Sequence, residues 1–276
     1  MKRLTVICAL LIVCIGSVSG QPAAPHDSVA DAWPLTSVYY VEAGGERAFN
    51  TYLSPLRQTG PTFALGGEWG RGCSTPRRRL SMFFSARYRM GFLENPARNA
   101  SVTDLCLSLG WNMQRTFTPF SGVPELNVSV GAGAAVDGGL LYLPGNSNNP
   151  VAARLYAGLT LNGTATYSIR AGRTRLRLID QVSLPSAGVF FSPHYGQSYY
   201  EIYLGEHDGL ARFGWWGNHF CIDNLVAVEI PVCSTRIRAG YRFQVLNSRA
   251  HGIDSRITTH SFVLGIVTDW LNITRR

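Results

Sequence analysis

Charged residues are scarce in this chain: they make up 15% of its 276 residues, against about a quarter in ordinary soluble domains. With 46% of the residues apolar, that deficit excludes a disordered chain, which needs low hydrophobicity and high charge. Beyond Gln21 no uninterrupted apolar run approaches the ~20 residues a helix needs to cross ~30 Å of hydrocarbon. Zinc spacings are missing too, because Cys73, Cys106, Cys221 and Cys233 match no zinc pattern and the histidines form no H-E-x-x-H. There is no G-x-S-x-G elbow, no P-loop and no dinucleotide fingerprint. What the chain has in plenty is Gly (29), Tyr (12) and Phe (13), with a formal net charge of +8 in which Arg dominates the basic set. Glycine and aromatics with little charge point to β-structure, and to a membrane as its setting.

The N-terminus reads as an address. Lys2 and Arg3 precede an apolar run over 4–15 and the small residues of 16–20, the layout of a secretory signal peptide cut near Gly20/Gln21. Cys14 raises the alternative of a lipid-attachment site, but Val13 before it is bulky for that chemistry. Export leaves four cysteines, an even number that permits disulfides. Strand positions at Cys106 and Cys233 suit buried free thiols as well. Of the sequons at Asn99, Asn127, Asn162 and Asn272, two fall inside strands and read as chance.

Period-two alternation is the dominant signal. From Ser81, one side carries Met82, Phe84, Ala86, Tyr88, Met90 and Phe92 while the other carries Phe83, Ser85, Arg87, Arg89 and Gly91. Leu105, Leu107, Leu109, Trp111 and Met113 then alternate with Cys106, Ser108, Gly110 and Asn112. Two further runs, over 126–137 and 154–170, repeat the pattern. Strict alternation marks strands. These runs are about twice the ~5–6 residues usual in globular proteins and match the ~9–11 tilted residues that cross a membrane. A closed antiparallel transmembrane β-barrel is therefore expected, apolar side to lipid and polar side to the lumen. A soluble exported β-protein is the alternative.

Weaker runs at 48–57, 61–70, 176–184, 225–232, 236–246 and 256–270 complete the sheet, and 198–204 with 210–216 form a further pair. That gives twelve strands, or ten if the last pair does not cross. The expected domains are a signal peptide at 1–20, an N-terminal periplasmic segment at 21–47, a barrel at 48–271 and a tail at 272–276. The tight connections at 171–174 and 233–235 go to the periplasm, and 138–151 and 247–255 outside. Asp180 interrupts the scheme, since it falls on the apolar side of its strand unless a bulge reverses it.

The lumen-facing set comprises Arg87, Arg89, Arg154, Arg170, Arg175, Arg177, Arg236, Arg238 and Arg242 against Glu68, Asp104, Asp137 and Glu229. One reading is an internal network of Arg–carboxylate pairs that fills the barrel. The other uses the Arg excess: a wet lumen so lined favours anions, giving a narrow anion-leaning pore for a small anionic solute. Within 192–223, His194, Ser198, Glu201 and His207 supply the residue types of a Ser/His/acid hydrolase acting on lipid. The tyrosines and tryptophans among them fit an interfacial aromatic girdle equally well. No metal or cofactor is expected, and charge scattered along strand faces does not suit nucleic acid. Outer-membrane lipids and the barrel-assembly machinery are the expected partners.

Several segments carry a resemblance: Thr51-Tyr52-Leu53-Ser54-Pro55-Leu56, Gly188-Val189-Phe190-Phe191-Ser192-Pro193 leading into Tyr195-Gly196-Gln197-Ser198-Tyr199-Tyr200-Glu201-Ile202-Tyr203-Leu204-Gly205, Trp215-Trp216-Gly217-Asn218, and Thr259-His260-Ser261-Phe262-Val263-Leu264-Gly265. Over nearly all of the mature chain the sequence resembles a family of uncharacterised outer-membrane β-barrel proteins, a domain of unknown function of Bacteroides-type Gram-negative bacteria. The resemblance implies a barrel fold and an outer-membrane location, and transfers no catalytic residues. The ending departs from common barrels, because Trp270 is followed by Leu-Asn-Ile-Thr-Arg-Arg and not by a terminal aromatic residue.

Overall fold

The computed structural model describes residues 35–75, 78–120, 122–146, 149–172, 174–232 and 235–269. Its strands are β1 (Leu35–Asn50), β2 (Ser54–Thr75), β3 (Arg78–Glu94), β4 (Ser101–Phe117), β5 (Leu126–Tyr142), β6 (Val151–Ala171), β7 (Thr174–Phe191), β8 (Ala211–Trp215), β9 (His219–Val232), β10 (Thr235–Ala250) and β11 (Ile253–Asp269). One short helix, α1 (Tyr199–Tyr203), lies between β7 and β8. Every pairing is antiparallel, β1 closes on β11, and β6 joins β7, so ten strands form a complete ring. Closure leaves no edge in the ring, a requirement where no water can satisfy backbone groups.

Alternation explains why these residues form this cylinder. Along β1 the inward side chains Val38, Tyr40, Glu42 and Glu46 are buried, while Tyr39 and Val41 are exposed. On β11, Val263 and Val267 point in, and Phe262, Leu264 and Ile266 point out. The outer surface is thus a band of large apolar side chains, and charge is collected at the axis.

The ten-strand alternative is the one the structure shows, and the count of twelve is corrected. The 198–204 run is helical because Ser198 and Glu201 form a capping box, each side chain bonding the other's backbone N–H. The 210–216 run yields β8, which stands outside the ring and pairs only with the upper part of β7. A register shift opposite Leu159 and Thr160 makes Ser186 an extra residue, and there β7 changes partner from β9 to β8. The Trp216 indole donates to the Pro185 carbonyl at 2.7 Å beside this bulge.

The barrel also begins earlier than 48. β1 starts at Leu35, inside the segment expected in the periplasm, and the expected 48–57 strand is broken by the turn at 51–53. Adjacent apolar residues Tyr39-Tyr40-Val41 and the pair Gly44-Gly45 blur the alternation of β1, which hid it. Asp180 stays on the outer face, opposite the exposed Val226, because the bulge comes six residues later. Its partner is Asn224, whose amide donates to it at 2.6 Å. The signal peptide, the tail at 272–276 and Asn272 lie outside the described residues, as do the side chains of Cys73 and Cys233; Cys106 and Cys221 are free thiols.

Candidate functional site

The lumen contains three layers. At the end bearing the 51–53, 95–100, 143–150 and 192–218 connections, apolar side chains turn inward and pack together. Leu93, Val102 and Leu141 are each 1% exposed, and Tyr52, Leu53, Leu143, Ile253 and Ile257 join them. Tyr199 of α1 packs on this cluster, and its hydroxyl accepts from the Ala153 N–H at 2.8 Å. The Tyr52 hydroxyl donates to the Gln197 carbonyl at 2.6 Å, tying the first turn to the long loop. Burial, with Tyr199 and Glu201 nearby, pushes the Tyr52 phenol up to about 12. The loop thus covers a plugged mouth.

Beneath the cover lies a network of ions. Arg87 donates to Glu42 at 2.6 Å, Arg89 to Asp104 at 2.8 Å, and Arg154 also binds Asp104. Arg242 lies 3.0 Å from Glu42 and 3.2 Å from Asp223, with its guanidinium over the Tyr40 ring. Lower down, Arg238 bridges Glu68 and Glu229 at 2.9 and 2.8 Å, and Arg236 reaches Glu229 at 3.3 Å. Arg177 approaches Glu229 at 3.8 Å. The Gln244 carbonyl oxygen accepts from both Arg87 and Arg89 at 3.1 Å. Arg170 and Arg175 oppose each other, exposed, near the β6–β7 turn. Asp137 and Ser108 both line the two internal cavities.

Three carboxylates of this network, Glu42, Glu46 and Asp223, were missed by sequence reasoning because β1 and the start of β9 were not read as crossing strands. With them, the seven arginines of the network (Arg87, Arg89, Arg154, Arg177, Arg236, Arg238, Arg242) face seven inward carboxylates, Asp137 included. The apparent Arg excess comes from that omission and from Arg170 and Arg175, which lie exposed near the β6–β7 turn. Adjacent charges of both signs satisfy one another, which is how buried ions are normally held.

Below and beside the network is a chamber of about 170 Å³, and a second space of about 80 Å³ lies under the cover. In the second, His219 is sandwiched between Tyr156 and Phe190, at 4.6 and 4.9 Å between ring centres.

The proposed hydrolase residues do not assemble as a triad. The Ser198 hydroxyl donates to the Glu201 carboxylate at 2.9 Å and accepts from the Glu201 N–H at 3.2 Å, so it serves as a helix cap. The Ser198 backbone N–H, donating to the Glu201 carboxylate at 2.6 Å, and then the Ser198 hydroxyl hold that carboxyl below its ordinary range. His194 instead stacks on His251, with ring centres 3.9 Å apart. His207 uses its backbone N–H on Gly205. Among the described residues no cluster of three or more His, Cys, Asp or Glu could hold a metal.

The chain is similar to solved barrels. One is the outer membrane protease OmpT from Escherichia coli, at 9% identity and a TM-score of 0.51, over 88% of this chain and 99% of that one. Another is the transport unit of the autotransporter AIDA-I from Escherichia coli, at 10% identity and a TM-score of 0.45, over 84% and 89%. At such identities the OmpT likeness shows a shared fold alone, that of an outer-membrane β-barrel. No curated protein matches the chain. The model of one family, described as "Protein of unknown function (DUF3316)", matches residues 4–276, and the chain belongs to that family.

Proposed function

We propose that the protein is an outer-membrane β-barrel with a closed lumen, a structural barrel and not an anion pore. The observation that carries this is the sequence of obstacles along the axis: an apolar plug with residues 1% exposed, then arginines matched by carboxylates. Ten strands stand just above the ~8 whose interior side chains fill, and far from the 16–18 that leave an aqueous channel. Location is supported by the lipid-like outer band of Phe63, Leu65, Phe262, Leu264 and Ile266, each more than half exposed. In this reading the start of β1, the end of β11 and the β6–β7 and β9–β10 connections lie in the periplasm, and the covered mouth faces outwards. A cleaved signal peptide exports the chain, and the barrel-assembly machinery inserts it among outer-membrane lipids.

Two assays test this. Fractionation should place the protein in the outer membrane with heat-modifiable migration on gels. Liposomes carrying it should not swell faster than empty ones in small sugars or salts. Recovery in the soluble periplasmic fraction, or rapid swelling, would refute the reading.

A further inference from the structure

We infer that the 170 Å³ chamber is a binding site for a small, neutral, hydroxyl-rich solute of monosaccharide type, entered from the end that carries the termini. The lumen is divided lengthwise. One side is filled by the ion network, whose Arg87, Arg242 and Asp223 form part of the chamber wall. The opposite wall, from β4, β6 and β7, presents Asn112, Gln114, Asn162, Gln181 and Ser183, which are polar and uncharged. Space remains because the wall is small at Gly110 and Ala135. It amounts to about five or six waters at ~30 Å³ each.

Hydrogen-bonding capacity is left over in both directions. The Gln114 carbonyl oxygen is buried without a partner. Asp137, on the chamber wall, makes no ion pair among the described residues. Gln244 accepts from two arginines through its oxygen, which leaves its amide N–H groups as donors. A solute whose hydroxyls both donate and accept satisfies all three. Phe83 and Pro185 offer apolar surface to its C–H faces.

Neutrality follows from the matched charges, since an ionic ligand would have to displace an internal partner in a poorly solvated space. The route follows from solvent access: Arg177 and Arg236 near the terminal end have side chains 44% and 28% exposed, whereas the other mouth is plugged. The inference goes beyond the closed-barrel reading. Binding is measured in solution, where conductance has no bearing.

The test is calorimetric titration of the full-length protein in an amine-oxide detergent, which contains no sugar, with glucose and galactose. Glutamate and choline are the charged controls. Saturable hexose binding with a Kd near about 1 mM is expected, with neither control binding. Ala135→Phe fills the chamber and should weaken binding at least about tenfold. Gln114→Leu, which removes the unpartnered acceptor together with the amide's bond to Asn112, should weaken it severalfold. Folding of each variant is checked by heat-modifiable migration. Absence of saturable hexose binding to the wild type, preference for either charged control, or undiminished binding by a folded Gln114→Leu protein would overturn the inference.

Discussion

Asp104 is the carboxylate on which a dry lumen and a wet one differ most. It is fully buried and holds two guanidiniums, Arg89 at 2.8 Å and Arg154. At 2.8 Å and an effective dielectric of ~20 the gross attraction is about 6 kcal/mol per pair, most of it offset by the several kcal/mol needed to desolvate each ion. Asp104→Leu removes both attractions and leaves the arginines in place. Arg89 retains Glu46 at 3.7 Å and Gln244, whereas Asp104 is the one ion-pair partner of Arg154 among the described residues. The expected loss is about 4 kcal/mol, within the range for breaking a buried pair. Adding Arg154→Leu should return about 2 kcal/mol, because the stranded charge goes with it. Urea unfolding from lipid vesicles, followed by intrinsic fluorescence, reads both numbers. A single variant costing under about 1 kcal/mol, as for a solvated surface pair, would refute the dry network.

Other outcomes follow from the same geometry. Asp180→Leu should raise stability in vesicles by about 1 kcal/mol, since it removes a carboxylate from the lipid face; destabilisation would show that Asp180 is not lipid-facing. Tyr52→Phe deletes the bond to Gln197 and should cost about 1 kcal/mol and speed proteolysis within 192–218. Because the Tyr52 phenol is raised to about 12, its contribution is complete below the ordinary tyrosine value and is lost as pH rises through the folded value; Tyr52→Phe should abolish that alkaline loosening of the loop. Glu201 is shifted the other way, so its cap is complete above the ordinary carboxylate value and fails as pH falls through the lowered one. Amide exchange at Ile202 should quicken in acid, and Ser198→Ala should make it fast at every pH while leaving cellular lipid profiles unchanged.

Much of the ring was legible because a closed sheet with an apolar outside and a polar inside demands one pattern. β3 to β6 present large apolar side chains at every second position, as with Leu105 to Met113 on β4. β1 was illegible for a physical reason: a strand between two others can carry Gly44, whose missing side chain lets neighbouring backbone approach, since its Cβ would sit 1.8 Å from the His260 carbonyl oxygen. That close approach erases hydropathy contrast where it serves packing. Overlooking β1 removed Glu42 and Glu46 from the lumen and enlarged the apparent excess of inward arginines. The helix at 199–203 did leave a signal, the Ser-Tyr-Tyr-Glu capping box, which competes with the alternation of Tyr200, Ile202 and Leu204. The Asp180–Asn224 pair joins residues 44 positions apart, and only strand order reveals it.

Closure of the lumen is tested most directly by single-channel recording in planar bilayers, with wild type beside a variant carrying Leu93→Asp and Leu141→Asp in the plug. The closed barrel should give a silent wild type in both salt gradients, and brief openings only in the variant. A steady, anion-selective current from wild type would contradict it.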